Sequence, residues 1–220
     1  LPGLPGTPGA GVGSPSGHAG WISANLPRQA MAATTFTPVR LDGEPALRVE
    51  SRAGYGNLAH ALQPQAAGRL SWRWRVEQGL PAADLRRKEA DDTALKVCAA
   101  FALPLAQVPF VERQQLRLAR SVSGDDSLPS AVLCYVWDAR LPAGTVLRNA
   151  YTGRLRWWVL GGPPQGQWQA QSRDLRADFL HAFADEASAP VPLVAVLVGA
   201  DSDNTAGHSI AHLQGLSLQR

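Results

Sequence analysis

The chain has 220 residues, of which 45% are hydrophobic and only 18% charged. That length and composition suit one large β domain or two small ones and exclude a chain kept disordered by charge. The net charge of +3 rests almost wholly on arginine, with Lys88 and Lys96 the only lysines. No dense basic cluster with interleaved aromatics forms a phosphate track, so nucleic acid is not an expected partner.

Residues 1–17 hold six Gly and four Pro. They are expected to form a flexible Gly/Pro-rich lead, with residues 18–220 making a single β-sandwich domain. The chain opens on Leu1 rather than Met, which fits an exported protein whose signal peptide has been removed. From Trp21 onward the pattern is strand after strand. Thr34–Leu41 and Ala46–Ser51 flank the turn pair Asp42-Gly43, and Gly54-Tyr55-Gly56 carries a second turn signal. Arg69–Val76 alternates cleanly, with Leu70, Trp72, Trp74 and Val76 on one face, as a half-buried antiparallel strand does. Further runs follow at Ala94–Leu103, Ala131–Trp137, Arg154–Leu160, Leu193–Gly199 and Leu213–Leu218. Only Arg173–Ala184 reads as helical, with Asp174 placed to favour its start. Many strands, one short helix and long loops at 78–92 and 104–130 predict an all-β fold, an antiparallel sandwich of jelly-roll type. The longest apolar run, Val191–Ala200, is half of what a membrane span requires.

Asp201-Ser202-Asp203-Asn204-Thr205 follows that apolar run and brings two carboxylates and a carboxamide to a strand end. Asp91-Asp92 precedes the strand at Ala94. If the two strands are antiparallel neighbours, both acidic groups lie at one end of a sheet. Asp91, Asp92, Asp201 and Asp203 are then candidate calcium ligands, since calcium takes six to eight oxygens. The EF-hand pattern fails, because Thr205 and Ala206 stand where it needs a ligand and a glycine. Asx-turns and caps explain the same residues without a metal. Paired carboxylates also serve as acid and base at a glycosidic bond. A lyase would draw instead on Tyr135, Tyr151, His208 or an arginine.

Trp137, Trp158 and Trp168 are candidate platforms for a sugar ring, Asp138 lying beside the first. Trp157 and Trp158 are adjacent and point to opposite faces. Trp72 and Trp74 are expected in the core. Arg173, Asp174 and Asp178 form an ion-pairing group that either pins a helix to the sheet or recognises an acidic sugar. His208 follows the Asp-rich turn closely enough to join its network. Cys98 and Cys134 fall in strand-like runs, either bridged or lying as small buried hydrophobes.

Together the Leu70-Ser71-Trp72-Arg73-Trp74-Arg75-Val76 strand, Asp91-Asp92-Thr93, Cys134-Tyr135-Val136-Trp137-Asp138, Trp168 with Arg173-Asp174 and Asp178-Phe179, and Asp201-Ser202-Asp203-Asn204-Thr205 resemble the bacterial domain-of-unknown-function family 3047. The resemblance runs from about Trp21 to the C-terminus. It implies an exported, periplasmic or secreted β-sandwich similar to carbohydrate-binding modules, with no catalytic positions to carry over. The favoured expectation is therefore non-catalytic recognition of a carbohydrate or envelope component. The alternatives are a polysaccharide-active hydrolase or lyase using the acidic cluster, or a structural, protein-binding domain.

Overall fold

A computed structural model describes residues 1, 20–26, 29–123, 128–162 and 164–219. Apart from Leu1, the expected Gly/Pro-rich lead lies outside the described residues. Among the described residues thirteen strands follow in chain order: β1 (Ile22–Ser23), β2 (Ala32–Ala33), β3 (Thr35–Leu41), β4 (Glu44–Arg52), β5 (Gly54–Gln65), β6 (Arg69–Gln78), β7 (Thr93–Phe101), β8 (Ala131–Val136), β9 (Val146–Arg148), β10 (Leu155–Val159), β11 (Gln169–Asp174), β12 (Leu193–Asp201) and β13 (His208–Gln219). Among the described residues two α-helices, α1 (Phe110–Ser123) and α2 (Leu175–Ala182), lie between them.

The strands form two packed sheets, a sandwich of jelly-roll type. One sheet runs β1-β5-β12-β7-β8-β10-β9 with β2 paired onto β5, and the other runs β11-β6-β13-β4-β3. Pairing is antiparallel except where β10 runs parallel to β8 and β2 to β5. The alternation along β6 has the expected result: Leu70, Trp72, Trp74 and Val76 are buried. They face Leu95, Val97, Ala99 and Phe101 of β7, with Leu133 and Tyr135 of β8, in the core between the sheets. The Trp72 and Trp74 rings meet edge to face at 5.5 Å, a favoured aromatic geometry.

The opposite face of the larger sheet carries a second apolar cluster of Leu85, Cys98, Cys134, Val136, Trp157 and Val159. Cys98 and Cys134 stand directly opposite each other on β7 and β8 and are disulfide-bonded. Trp157 and Trp158 do part company: Trp157 lies in this outer cluster, and half-buried Trp158 packs against the central core.

Three expectations are corrected. Residues 110–123, expected to be loop, form α1. Its Phe110, Val111 and Leu118 face solvent while Leu116 is buried, so the helix turns most of its apolar residues outward. Gly54-Tyr55-Gly56 is not a turn but the start of β5, because the chain reverses one residue earlier at Ala53, with φ of 42°. The predicted helix at Arg173 begins later, since Arg173 and Asp174 complete β11 beside β6. Asp174 is nonetheless the N-cap of α2 and accepts hydrogen bonds from the Arg176 and Ala177 amides at 3.1 Å each.

Candidate functional site

Antiparallel pairing of β7 and β12 sets Thr93 opposite Asp201 and Lys96 opposite Gly199. The Asp91-Asp92 and Asp201–Thr205 segments therefore do meet at one end of the larger sheet. Asp91 and Asp92 are adjacent and face different surroundings, and two pockets flank them.

Asp92 is a structural clasp. Its two carboxylate oxygens accept from the Asn204 amide at 3.1 Å, the Thr205 amide at 2.8 Å and the Thr205 hydroxyl at 2.5 Å. It also lines a pocket of about 320 Å³ with Leu80, Trp137, Asp138 and Arg140. Asp138 is likewise engaged, accepting from the Arg140 and Leu141 amides at 2.7 Å. That pocket therefore offers no carboxylate free of backbone partners.

The other pocket, about 430 Å³, is bounded by Tyr55, Asp91, Lys96, Asn149, Tyr151, Trp157, Asp201 and Asp203, with Leu26 and Met31 at its wall. Asp201 is salt-bridged: it accepts from the Lys96 Nζ at 2.9 Å and the Thr93 amide at 2.7 Å, and from the Thr93 hydroxyl. Lys96 is buried between aromatic faces, its Nζ 4.8 Å from the Tyr55 ring centre and 5.9 Å from that of Trp157. Burial alone would depress its amine, but the Asp201 carboxylate, with Tyr55 and Asp91 adding, holds it above the ordinary lysine range. Lys96 therefore carries a full positive charge.

Asp91 is in a different state. It is 3% exposed. Its carboxyl accepts from the Trp157 indole at 3.0 Å and from the Asn149 amide group. Burial, reinforced by the negative Asp201, pushes its pKa up to about 7, even against the pull of Lys96. Asn149 is fixed in turn, because its oxygen accepts from the Tyr151 and Thr152 amides at 2.9 and 3.1 Å. Asp203 also faces this pocket, has no ion-pair partner among the described residues, and is shifted upward by its partial burial. Tyr151 stands at the rim, 54% exposed, its hydroxyl donating to Asn204 at 2.8 Å and its ring under the Lys88 amine at 4.7 Å. Gly199 makes room for this arrangement: a side chain there would run into Asn57 and the Gly56 carbonyl. Asn57 in turn donates to the Tyr55 hydroxyl at 3.0 Å and the Ala24 carbonyl at 3.3 Å.

The other expected site residues are placed elsewhere. Trp137 lines the Asp92 pocket and is almost fully covered. Trp158 is sandwiched by Arg173 at 4.6 Å and His181 at 5.1 Å. Trp168 belongs to the smaller sheet's side, donating to Asp42 at 2.9 Å under the Arg73 guanidinium. Arg173 binds Asp178 through two 2.8 Å bonds, and Asp178 also accepts from the Tyr135 hydroxyl at 2.7 Å. This group and the Asp174 cap pin α2 to the sheets. His208 does not join the Asp-rich turn. It lies on β13 and pairs with Glu50 at 2.9 Å.

The expected calcium cradle is corrected as well. Among the described residues no three His, Cys, Asp or Glu side chains are grouped to hold a metal ion. The physical reason is that Asp92 closes on two backbone amides and Asp201 on a lysine, so the four aspartates point to separate partners. Tyr55, Lys96, Asn149 and Trp157 had no place among the expected site residues. Lys96 carried a readable signal, as a lone lysine inside the apolar run Ala94-Leu95-Lys96-Val97-Cys98.

A family model described as "Protein of unknown function (DUF3047)" matches residues 19–217. The chain belongs to this family. No curated protein matches the sequence. Among solved structures, this DUF3047 chain is similar to endoglucanase 3 of Trichoderma harzianum from family GH12, at 11% identity and TM-score 0.47, over 93% of each chain. It is similar also to the xyloglucanase domain of NopAA from Sinorhizobium fredii, solved with cellobiose, at 9% identity and TM-score 0.46, over 90% of this chain and 92% of that one. A family 12 xyloglucanase of Bacillus licheniformis gives 9% identity and TM-score 0.44, over 91% and 87%. These neighbours are named as enzymes, where the sequence had led us to expect non-catalytic recognition. At such identities the likeness concerns the fold, and the chemistry has to come from the pocket itself.

Proposed function

We propose that this chain is a polysaccharide-active enzyme, a hydrolase that cleaves a glycosidic bond in the Asp91 pocket. The observation that carries the reading is a pair of carboxyl groups in unlike states facing one cavity. Burial, with the Asp201 charge beside it, raises the Asp91 carboxyl to about 7 in spite of its two hydrogen bonds, while Asp203 is more open to water. Unequal burial of two acids in one cavity is a means by which glycosidases separate a proton donor from a base or nucleophile.

In this reading Asp91 gives its proton to the glycosidic oxygen as the bond from that oxygen to the anomeric carbon breaks. Water adds its oxygen to the carbon and gives its proton to Asp203, and proton exchange with solvent restores both acids. Asp201 acts as a positioning residue, since its charge favours the protonated form of Asp91, while Lys96 holds Asp201 in place and pulls Asp91 the other way. Tyr55 and Tyr151 offer ring surface and hydroxyls to a sugar. Export to the periplasm or cell surface belongs to the same proposal, and the Cys98–Cys134 disulfide supports it, because such bonds persist in oxidising compartments.

The test is reducing-end release from xyloglucan, carboxymethyl cellulose, mixed-linkage β-glucan and pectin between pH 5 and 8. Wild-type protein should release reducing ends from at least one of them. Asp91→Asn should slow that release by about 10²–10⁴-fold, the usual contribution of a general acid. Absence of release from all four, or an Asp91→Asn variant as fast as wild type, overturns the reading.

A further inference from the structure

An enzyme that cuts within a long sugar chain needs a cleft open at both ends, so that the polymer lies across the sheet and continues out on either side. The outward face of the larger sheet does not offer one. Leu85, 1% exposed, sits in the apolar cluster with Cys98, Cys134 and Trp157, and Leu141 and Leu147 pack against that cluster. The middle of the sheet is thus filled by the protein's own loops.

The opposite side is walled by described residues that precede β2, among them Leu26 and Met31. The Ala24 amide donates to the Asn57 carbonyl at 2.8 Å, and the Gln29 side chain donates to the Tyr55 carbonyl at 2.9 Å. These bonds tie Ala24 and Gln29 to β5, and Leu26 and Met31 lie against the pocket. What remains is a recess of about 430 Å³, toward the small end of the roughly 300–1,000 Å³ that small-molecule sites span. Its acid, Asp91, lies at the buried end, and the exposed Tyr151 ring stands at the mouth.

We infer, resting on the hydrolase reading, that the pocket takes the end of a sugar chain and releases short products, rather than cutting chain interiors. The terminal unit enters far enough to bring its glycosidic oxygen to Asp91, and the following unit lies at the rim against Tyr151. The remainder of the polymer stays in solvent.

The experiment follows viscosity and reducing ends together, on whichever of the four polysaccharides wild-type protein attacks. It also follows the products from defined six-unit oligosaccharides of the same linkage. Chain-end attack should leave viscosity nearly unchanged while reducing ends accumulate, and should shorten the oligosaccharides stepwise by one or two units from the earliest time point. Viscosity that halves while under about one bond in a hundred is cut, or hexamers split first into trimers, overturns this inference and leaves the hydrolase reading standing. No reducing ends from any substrate overturns both.

Discussion

Asp91 and Lys96 occupy the same buried corner and their charges are set by opposite balances. Lys96 has an ionised partner 2.9 Å away, whereas Asp91 receives two neutral donors, the Trp157 indole and the Asn149 amide. Neutral donors do not fully repay the loss of water around a carboxylate, so Asp91 takes up its proton. With its folded-state pKa at about 7 and an unfolded value near 3.9, the folded state binds more protons between those limits. Stability from this group is therefore complete below about pH 4 and is lost progressively as pH rises to 7. Thermal melts of wild type and Asp91→Asn from pH 4 to 8 should show a steeper decline for wild type, and parallel curves would refute the assignment. Catalysis has the same sign. The donor form disappears as pH passes 7, so kcat/KM should fall about tenfold per unit above it.

Removing the lysine tests the other half of the corner. Lys96→Met leaves Asp201 buried without its cation, a change that costs about 3–5 kcal/mol. Adding Asp201→Asn to the same chain removes the stranded charge and should recover much of the loss. Urea unfolding of Lys96→Met, Asp201→Asn and the double variant decides it: a double variant destabilised by the sum of the two singles would mean that the pair is not coupled. The acidic half of this corner was legible in the sequence, because aspartates cluster visibly around strand ends. Its neutral and aromatic half was not. Tyr55 was masked by flanking glycines that imitate a turn, and nothing local to Asn149 says that it will meet Asp91, 58 residues away.

At the scale of elements, strands were readable where one face is buried and the other wet, as in β6, and harder where both faces are covered. β7 is buried at all nine positions, so it shows an apolar run instead of alternation. The helix α2 announced itself through its cap and its spacing. Asp174→Ala removes the acceptor for two orphan amides and should cost about 1 kcal/mol, read as a lower midpoint in urea with an unchanged slope. The region around α1 is held by charge. Arg154 of the loop before β10 meets Glu112 of α1 at 2.6 Å and Glu186 beyond α2 at 2.5 Å, and Arg156 meets Glu186 at 2.8 Å. Such pairs join segments far apart in sequence, so the seating of α1 against the sandwich is not written in any local pattern.

For the whole molecule, the disulfide links strands at the centre of the larger sheet. Cys98 and Cys134 are 36 residues apart, and the loop they close contains α1. Closing a loop of that length removes enough freedom from the unfolded chain to stabilise the fold by about 4 kcal/mol in the chain-entropy account. For a protein of this size that corresponds to a fall in Tm on the order of 10 °C when the bond is removed. The bond also lies under Leu85 and beside Trp157, within the cluster that supports the Asp91 pocket. Cys98→Ala with Cys134→Ala should therefore lower Tm by that amount and, at temperatures where the variant remains folded, loosen the pocket floor. The loosening should appear as faster hydrogen exchange at the Trp157 indole, whose partner is Asp91. An unchanged Tm would show that the sheets hold the two strands without the bond. A lower Tm with unchanged indole exchange would confine the bond's role to the unfolded chain, and only the combination of both changes ties the covalent link to the site.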